Sequence, residues 1–248
     1  MLSTAWKIVL TLTFARMTMG VQFQAIPSLA PILTADGAMS YAAVGTLTGA
    51  YLVPGVVVAL AGGWLSQRMG DARCVLLGLA LMAVGGCGAL WSDSFNAQLL
   101  WRLVAGSGAV CLNVLVTKMV ADWFDARSDL PTAMGLLVSS WPAGIAVAAL
   151  ALPLVEAAAG LSVALLLPVV LCVSALVCTM LVWQEPPEKA GATHSNQNEK
   201  MQKRELVLVV MGGLIWGLYN AALVGSITWL PGFLQSDGMS FVSASTSA

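Results

Sequence analysis

An arginine, Arg16, interrupts the first long apolar stretch of the sequence. It lies about ten residues into that stretch, which at about 1.5 Å per residue places it about 15 Å deep, near the middle of a bilayer. An ionisable group at that depth is costly and usually faces a cavity or a partner. Because the guanidinium stays charged and presents a planar fork of donors, it suits a carboxylate or a phosphate-like group of a solute.

The alternative for Arg16 is a structural pair with a carboxylate on a neighbouring helix. No acidic residue lies at matching depth in the first six apolar stretches, since Glu156 falls near the outer end of the fifth. This absence favours the solute as the partner of Arg16.

Uncharged polar residues extend this candidate site. Gln22 lies within about 120° of Arg16 on a helical wheel, whereas Gln22 and Gln24 are about 200° apart, so both cannot face one cavity. We favour Gln22. Asn113 lies about 17 Å beyond Arg102 along the fourth apolar stretch, which places it near the midplane.

The last apolar stretch contributes Trp216 and Asn220, which are four residues apart and share a helix face. Such a face lines a solute cavity, or it is a core tryptophan beside a satisfied asparagine. The predicted solute-binding residues are Arg16, Gln22, Asn113, Trp216 and Asn220. Because Arg16 is the only charge placed at mid-depth, we expect a small anionic solute.

Composition identifies the class of protein that positions these residues. The sequence is 58% hydrophobic and 9% charged, with a mean hydropathy of +0.86. A soluble protein has about a quarter of its residues charged, so a water-soluble protein is excluded. The net charge of −1 gives no indication of a nucleic-acid partner.

The sequence offers no arrangement of residues typical of an enzyme or a metal site. Its five cysteines have no metal-binding spacing, and its single histidine, His194, lies in a polar linker. It also lacks a phosphate-binding glycine loop and a zinc-protease helix motif. We therefore predict no catalytic residue, no metal, no cofactor and no enzymatic activity.

Seven stretches are long and apolar enough to span a bilayer, which takes about 20 residues. We place them at 6–33, 41–65, 73–91, 97–123, 132–158, 161–183 and 206–233. The predicted domains are a six-helix bundle at 1–184, a cytoplasmic linker at 185–205, and a seventh helix with its tail at 206–248. Lys and Arg fall on the side of the amino terminus and the opposite loops carry only acidic residues, which predicts a cytoplasmic amino terminus. Those acidic residues are Asp36, Asp93 and Asp237.

The loop between the second and third spans carries glycines and arginines at a recognisable spacing: Gly63, Arg68, Gly70 and Arg73. The loop resembles the one between the second and third spans of the major facilitator superfamily of secondary transporters, whose pattern is G-x-L-A-D-R-x-G-R-R. Gly63, Leu65, Arg68 and Gly70 fall in register. Gln67 and Asp71 depart from the pattern, since they replace an aspartate and a basic residue.

Two further motifs of that family have counterparts. Arg102, Gly106 and Gly108 resemble the pattern R-x-x-x-G-x-G of the fourth span, in which the arginine is tied to proton coupling in some members. The alternative for Arg102 is that it reaches the lipid headgroups. In the fifth span Pro142 falls in register with the third motif, whereas Gly144 is displaced from it.

The resemblance implies an all-α integral membrane protein with about seven transmembrane helices, whose second half is incomplete. Spans one to three and four to six are then related by an inverted repeat. It implies gradient-driven alternating access in the inner membrane, with a small solute and a coupling ion as partners. The alternative is a truncated or half-length membrane protein without transport activity of its own, which associates with itself or with a missing second half.

Overall fold

The described part of the chain is made of helices joined by short turns and connections. The computed structural model describes residues 3–35, 39–92, 94–124, 127–186 and 203–236, and these ranges contain nine helices and no strand. The helices are α1 (Thr4–Ser28), α2 (Ala30–Ala35), α3 (Tyr41–Leu52), α4 (Gly55–Met69), α5 (Asp71–Leu90), α6 (Phe95–Trp123), α7 (Leu130–Ala159), α8 (Leu161–Val182) and α9 (Lys203–Ser236). An all-α protein was predicted, and this is confirmed.

Six helical stretches of the described chain are long and apolar enough to cross a membrane: Tyr41–Val58, Asp71–Leu90, Phe95–Trp123, Leu130–Ala159, Leu161–Val182 and Arg204–Leu223. The seven predicted spans map onto these six stretches and α1. With 25 residues, α1 is long enough to span, but it is more polar because it carries Arg16, Gln22 and Gln24. It lies among α3, α6, α7 and α8, so these polar side chains face neighbouring helices.

Prolines interrupt two of the predicted spans. The first ends as α1 at Ser28 and continues as α2, with Pro27 and Pro31 on either side of the break. The second, predicted over 41–65, is divided between α3, which ends at Leu52, and α4, which begins at Gly55. Pro54 has no backbone N–H and lies in the connecting turn, which explains the interruption.

Glycines bring pairs of helices into backbone contact. Gly78 of α5 lies against Gly108 of α6, since a Cβ at Gly78 would lie 2.7 Å from the Gly108 carbonyl oxygen. Gly20 of α1 lies against Gly144 of α7, where a Cβ at Gly20 would lie 3.2 Å from the Gly144 Cα. Small residues allow such close packing, which is a main source of helix association in a bilayer.

The short connection between α4 and α5 is a single glycine. Gly70 has a φ of +86°, a conformation that a residue with a Cβ rarely adopts. Gly160 makes the same kind of connection between α7 and α8 with a φ of +87°. These glycines explain how consecutive long helices reverse direction without a loop.

The chain divides into two compact units, Met1–Gly191 and Ala192–Ala248. The first contains α1 to α8. The second contains α9, whose described side chains are mostly exposed. Asp36, Asp93, Asp237 and His194, which entered the predicted orientation and linker, lie outside the described residues.

Candidate solute-binding site

Arg16 lies where α1 meets α6 and α7. Its Nε donates a hydrogen bond of 2.8 Å to Oδ1 of Asn113 on α6. Its Nη1 donates to two backbone carbonyl oxygens of α7, at 2.6 Å to Leu137 and 3.1 Å to Val138. Arg16 is 7% exposed. Two of the predicted solute-binding residues are thus in direct contact.

A proline explains why a carbonyl of α7 is available to Arg16. Pro142 has no N–H, so the carbonyl of Val138, four residues earlier, lacks its usual donor within the helix. Arg16 supplies a donor from α1 instead. Ser140 adds a second donor to the neighbouring carbonyl of Leu137, at 2.6 Å.

The positive charge of Arg16 is held entirely by neutral acceptors. Among the residues that the structure describes, no carboxylate lies within ion-pair distance of Arg16. Its Nη2 makes no hydrogen bond to a described residue. The arrangement can therefore orient the guanidinium while leaving its charge and a donor for an anion.

Gln22 belongs to a different cluster from Arg16. Its Nε2 donates to the carbonyl of Met82 on α5 at 2.8 Å, and its Oε1 accepts from the Tyr51 hydroxyl at 3.3 Å. Gln22 is 3% exposed. Gln24 is also buried, and its Oε1 has no hydrogen-bond partner within the described part of the chain.

Arg102 lies in the same cluster as Gln22. Its Nη1 and Nη2 donate to the carbonyls of Gln22 and Phe23 at 2.9 and 3.2 Å, and its Nε donates to the carbonyl of Leu47 at 3.3 Å. It is 5% exposed, and its guanidinium carbon lies 4.9 Å from the ring centroid of Tyr51. Arg102 therefore points into the bundle, and the alternative of an arginine that reaches the headgroups does not match its position.

The carbonyl of Phe23 is available to Arg102 for the reason found at Val138. Pro27 follows Phe23 by four residues and has no N–H to donate to it. Tyr51 and the proline-freed carbonyls are the partners that sequence reasoning missed. The sequence did contain a signal for these carbonyls, since each is followed four residues later by a proline that cannot donate to it.

The prediction of a loop that includes Gly63, Arg68 and Arg73 is wrong, because these residues are helical and only Gly70 connects α4 to α5. Gly63 and Arg68 are in α4, and the guanidinium carbon of Arg68 lies 3.9 Å from the Trp64 ring centroid. Arg73 is exposed in the first turn of α5. Gly70 is the connecting glycine described above.

Asp71, which replaces a basic residue of the family pattern, forms an ion pair that the sequence did not predict. Its Oδ2 lies 2.7 Å from the Nζ of Lys118 on α6, and its other oxygen accepts a hydrogen bond from Ser66. The pair joins the start of α5 to the end of α6. The side chain of Lys118 is half-exposed as well as paired.

The two motif glycines of α6 contact other helices. Gly106 lies against the backbone of Tyr51 in α3, and Gly108 against α5. Pro142 lies within α7, which continues through it without a break. Gly144 packs on Gly20, as described above.

Trp216 and Asn220 lie on α9, in the second unit. Asn220 donates from Nδ2 to the carbonyl of Trp216 at 2.8 Å, so this donor is used within its own helix. The rings of Trp216 and Tyr219 lie 6.1 Å apart between centroids. Trp216 is 58% exposed, and Asn220 is only partly exposed.

An ion pair lies just before α7, outside the membrane spans, and a hydrogen bond from Trp6 to the same carboxylate joins the starts of α1 and α7. Arg127 donates to both oxygens of Asp129 at 2.9 Å, and Trp6 Nε1 donates to Asp129 at 3.2 Å. The hydrogen bonds from Arg127 lower the pKa of Asp129 below its usual value. No group of three or more His, Cys, Asp or Glu suited to a metal ion occurs in the described part of the chain.

Comparison with known proteins gives one family. The model of the Major Facilitator Superfamily matches residues 10–248. The chain is 23% identical over 253 residues to the cis,cis-muconate transport protein of Acinetobacter baylyi, which covers 96% of this chain and 61% of that protein. It is 31% identical over 146 residues to an uncharacterized MFS-type transporter of Mycobacterium tuberculosis, over 57% of this chain and 32% of the other.

Solved transporters share the fold. A peptide transporter POT in complex with alafosfalin aligns with a TM-score of 0.64 at 16% identity, over 91% of this chain and 48% of that one. A D-xylose-proton symporter aligns with a TM-score of 0.58 at 18% identity, over 98% of this chain and 65% of that one. The chain spans less than two thirds of the length of the curated relatives it matches.

Proposed function

The chain belongs to the Major Facilitator Superfamily, and from that premise we propose that it serves the transport of a small organic anion across a membrane. The observation that carries the proposal is Arg16. It is a buried cation in the membrane part of the chain, held by the amide of Asn113 and two carbonyls. A charge kept at that depth without a carboxylate partner among the described residues is typical of a ligand for a charged solute.

The geometry of Arg16 favours carboxylate over other solute classes. Nε donates to Asn113 and Nη1 donates to the α7 carbonyls, which leaves Nη2 to donate to an incoming oxygen. A planar guanidinium binds a planar carboxylate with directed hydrogen bonds. The relative from Acinetobacter baylyi is named for cis,cis-muconate, itself the anion of a carboxylic acid, and this supports the same solute class.

Transport is proposed to proceed by alternating access driven by an ion gradient. Proline-interrupted helices packed on glycines suit a bundle that rocks about a central site. The six-helix part at 1–184, the linker at 185–205 and the helix at 206–233 keep their predicted roles in this proposal, with Trp216 and Asn220 as further solute contacts. The amino terminus is proposed to lie in the cytoplasm and the protein in the inner membrane, from the distribution of Lys and Arg.

Uptake of labelled carboxylates into proteoliposomes tests the proposal. We expect uptake by the chain, its loss in Arg16→Gln, and partial retention in Arg16→Lys, which keeps the charge but not the fork of donors. Arg127→Gln is the matched control, since Arg127 is an exposed loop residue. Uptake that is unchanged in Arg16→Gln would exclude Arg16 as the ligand.

A chain that inserts correctly and transports nothing would support the alternative function. In that case the chain has no transport activity of its own and acts only in association with further chains. Co-expression with a six-helix second half from a relative, followed by the same assay, separates association with itself from association with a second half.

A further inference from the structure

A cavity separate from the Arg16 site lies within the first unit. It is lined by residues of α1, α2, α3, α5, α6 and α8 and has a volume of about 80 Å³. One ordered water needs about 10–15 Å³ of such space, so the cavity has room for a small organic molecule. Gln22 lies six residues beyond Arg16 on α1, about 9 Å along the helix axis, so this cavity is at a different level of the bundle.

The cavity has apolar walls and a cationic polar group. Its walls include Ala25, Leu90, Leu165, Pro168 and Val169, and Arg102 and Gln22 line it with buried polar side chains. Gly86 allows two of these walls to meet, since a Cβ there would lie 2.7 Å from Val169 Cγ2 and 2.9 Å from Gln22 Nε2.

Arg102 and Gln22 each have N–H groups that are not used in the hydrogen bonds they make to described residues. Arg102 has five N–H donors and makes three hydrogen bonds to carbonyls. The Oε1 of Gln22 already accepts from Tyr51, whereas its Nε2 carries a second N–H beyond the one given to Met82. No described carboxylate pairs with Arg102, so its positive charge is not neutralised by an ion pair and can attract an anion.

From this combination we infer that the Arg102–Gln22 cavity is a second ligand site, which binds a short-chain monocarboxylate. The carboxylate accepts from Arg102 and Gln22, and its short apolar chain contacts the walls formed by α5 and α8. A bare halide leaves the apolar walls without a partner, and a neutral amide leaves the charge of Arg102 unpaired.

Equilibrium dialysis of the full chain in nanodiscs measures this binding. Propionate is the probe, with propionamide as its neutral counterpart and chloride as the anion without an apolar chain. We expect saturable binding of propionate with a dissociation constant of about 1 mM, and binding at least about tenfold weaker for the other two. Equal binding of propionamide or chloride, or no saturable binding of propionate, would overturn the inference.

A variant that fills the cavity separates it from the Arg16 site. Ala89 lines the cavity, and Ala89→Leu adds three carbon atoms without altering Arg102, Gln22 or Arg16. We expect propionate binding to fall by at least about tenfold, a difference typical of losing a well-matched site. Ala149→Leu, at an exposed position on α7, is the matched control and should bind normally.

Leu165→Phe fills the same cavity from α8 and gives a second variant, should Ala89→Leu lower the folded yield. Thermal unfolding of each variant shows whether the protein is folded. Propionate binding that survives in a folded cavity-filled variant places the ligand elsewhere and refutes the site.

Discussion

Arg16 and Pro142 are expected to be energetically coupled, because the arginine donates to a carbonyl that the proline leaves free. In Arg16→Met the carbonyl of Val138 loses the donor that Arg16 provides. Leu137 keeps the hydroxyl of Ser140 as a donor. A carbonyl that loses its donor within a bilayer, where no water replaces that donor, costs about 1–3 kcal/mol.

Pro142→Ala restores an N–H four residues after Val138, so the helix satisfies that carbonyl itself. Arg16→Met should then destabilise the Pro142→Ala protein by about 1–2 kcal/mol less than it destabilises the unmodified chain. The assay is reversible unfolding in mixed micelles, followed by circular dichroism, for the two single variants and the double variant.

Pro153→Ala is the matched control for this cycle. Pro153 also lies inside α7, but the carbonyl four residues earlier belongs to Ala149 and accepts no hydrogen bond from Arg16. Arg16→Met should cost the same in the Pro153→Ala background as in the unmodified chain. If Arg16→Met destabilises the Pro142→Ala protein and the unmodified chain by the same amount within about 0.5 kcal/mol, the two residues are not coupled and the reasoning is refuted.

Two further predictions concern helix packing and pH. Gly144→Ala should lower the free energy of unfolding by about 1–3 kcal/mol because the new Cβ meets the backbone of α1. Gly135→Ala is the control, since Gly135 lies in open space on the same helix and its substitution should not have this effect. Equal effects of the two substitutions in unfolding titrations would contradict the close packing of Gly144. Arg127→Gln should raise the pKa of Asp129, which the pair with Arg127 lowers. The lowered pKa stabilises the folded protein at pH values above the unfolded-state pKa of Asp129, and this stabilisation is lost as the pH falls through the folded-state pKa. Acid unfolding of the variant should resemble that of Asp129→Asn, and an unchanged acid titration would exclude the Arg127–Asp129 pair as its cause.

Depth along each span was the part of the candidate site that could be predicted. Counting residues from the span ends placed Arg16 and Asn113 both near mid-depth, and their side chains meet at 2.8 Å. The same counting could not show which neighbouring helix each residue faces. Gln22, favoured for its angle to Arg16, instead bonds to Met82 and Tyr51 in a separate cluster.

Backbone acceptors were the part that residue types did not indicate. A helix normally uses its own carbonyls, so a search for partners of Arg16 and Arg102 naturally considers carboxylates. Pro27 and Pro142 change this, because each frees one carbonyl on a neighbouring helix. The ion pair of Asp71 with Lys118 was missed for another reason, since it depends on how α5 packs on α6.

The polarity of α1 has a consequence for how the protein is made. On its own, α1 is not among the stretches apolar enough to span a membrane, and it is buried largely by α7 and α8. Roughly 100 residues separate the end of α1 from the start of α7, so at about 5–20 residues per second a ribosome takes about 5–20 s to supply that partner. During that interval the Arg16 segment must be held by the insertion machinery or at the membrane surface. Although α1 is synthesised before α7 and α8, it reaches its final environment only after they have been made.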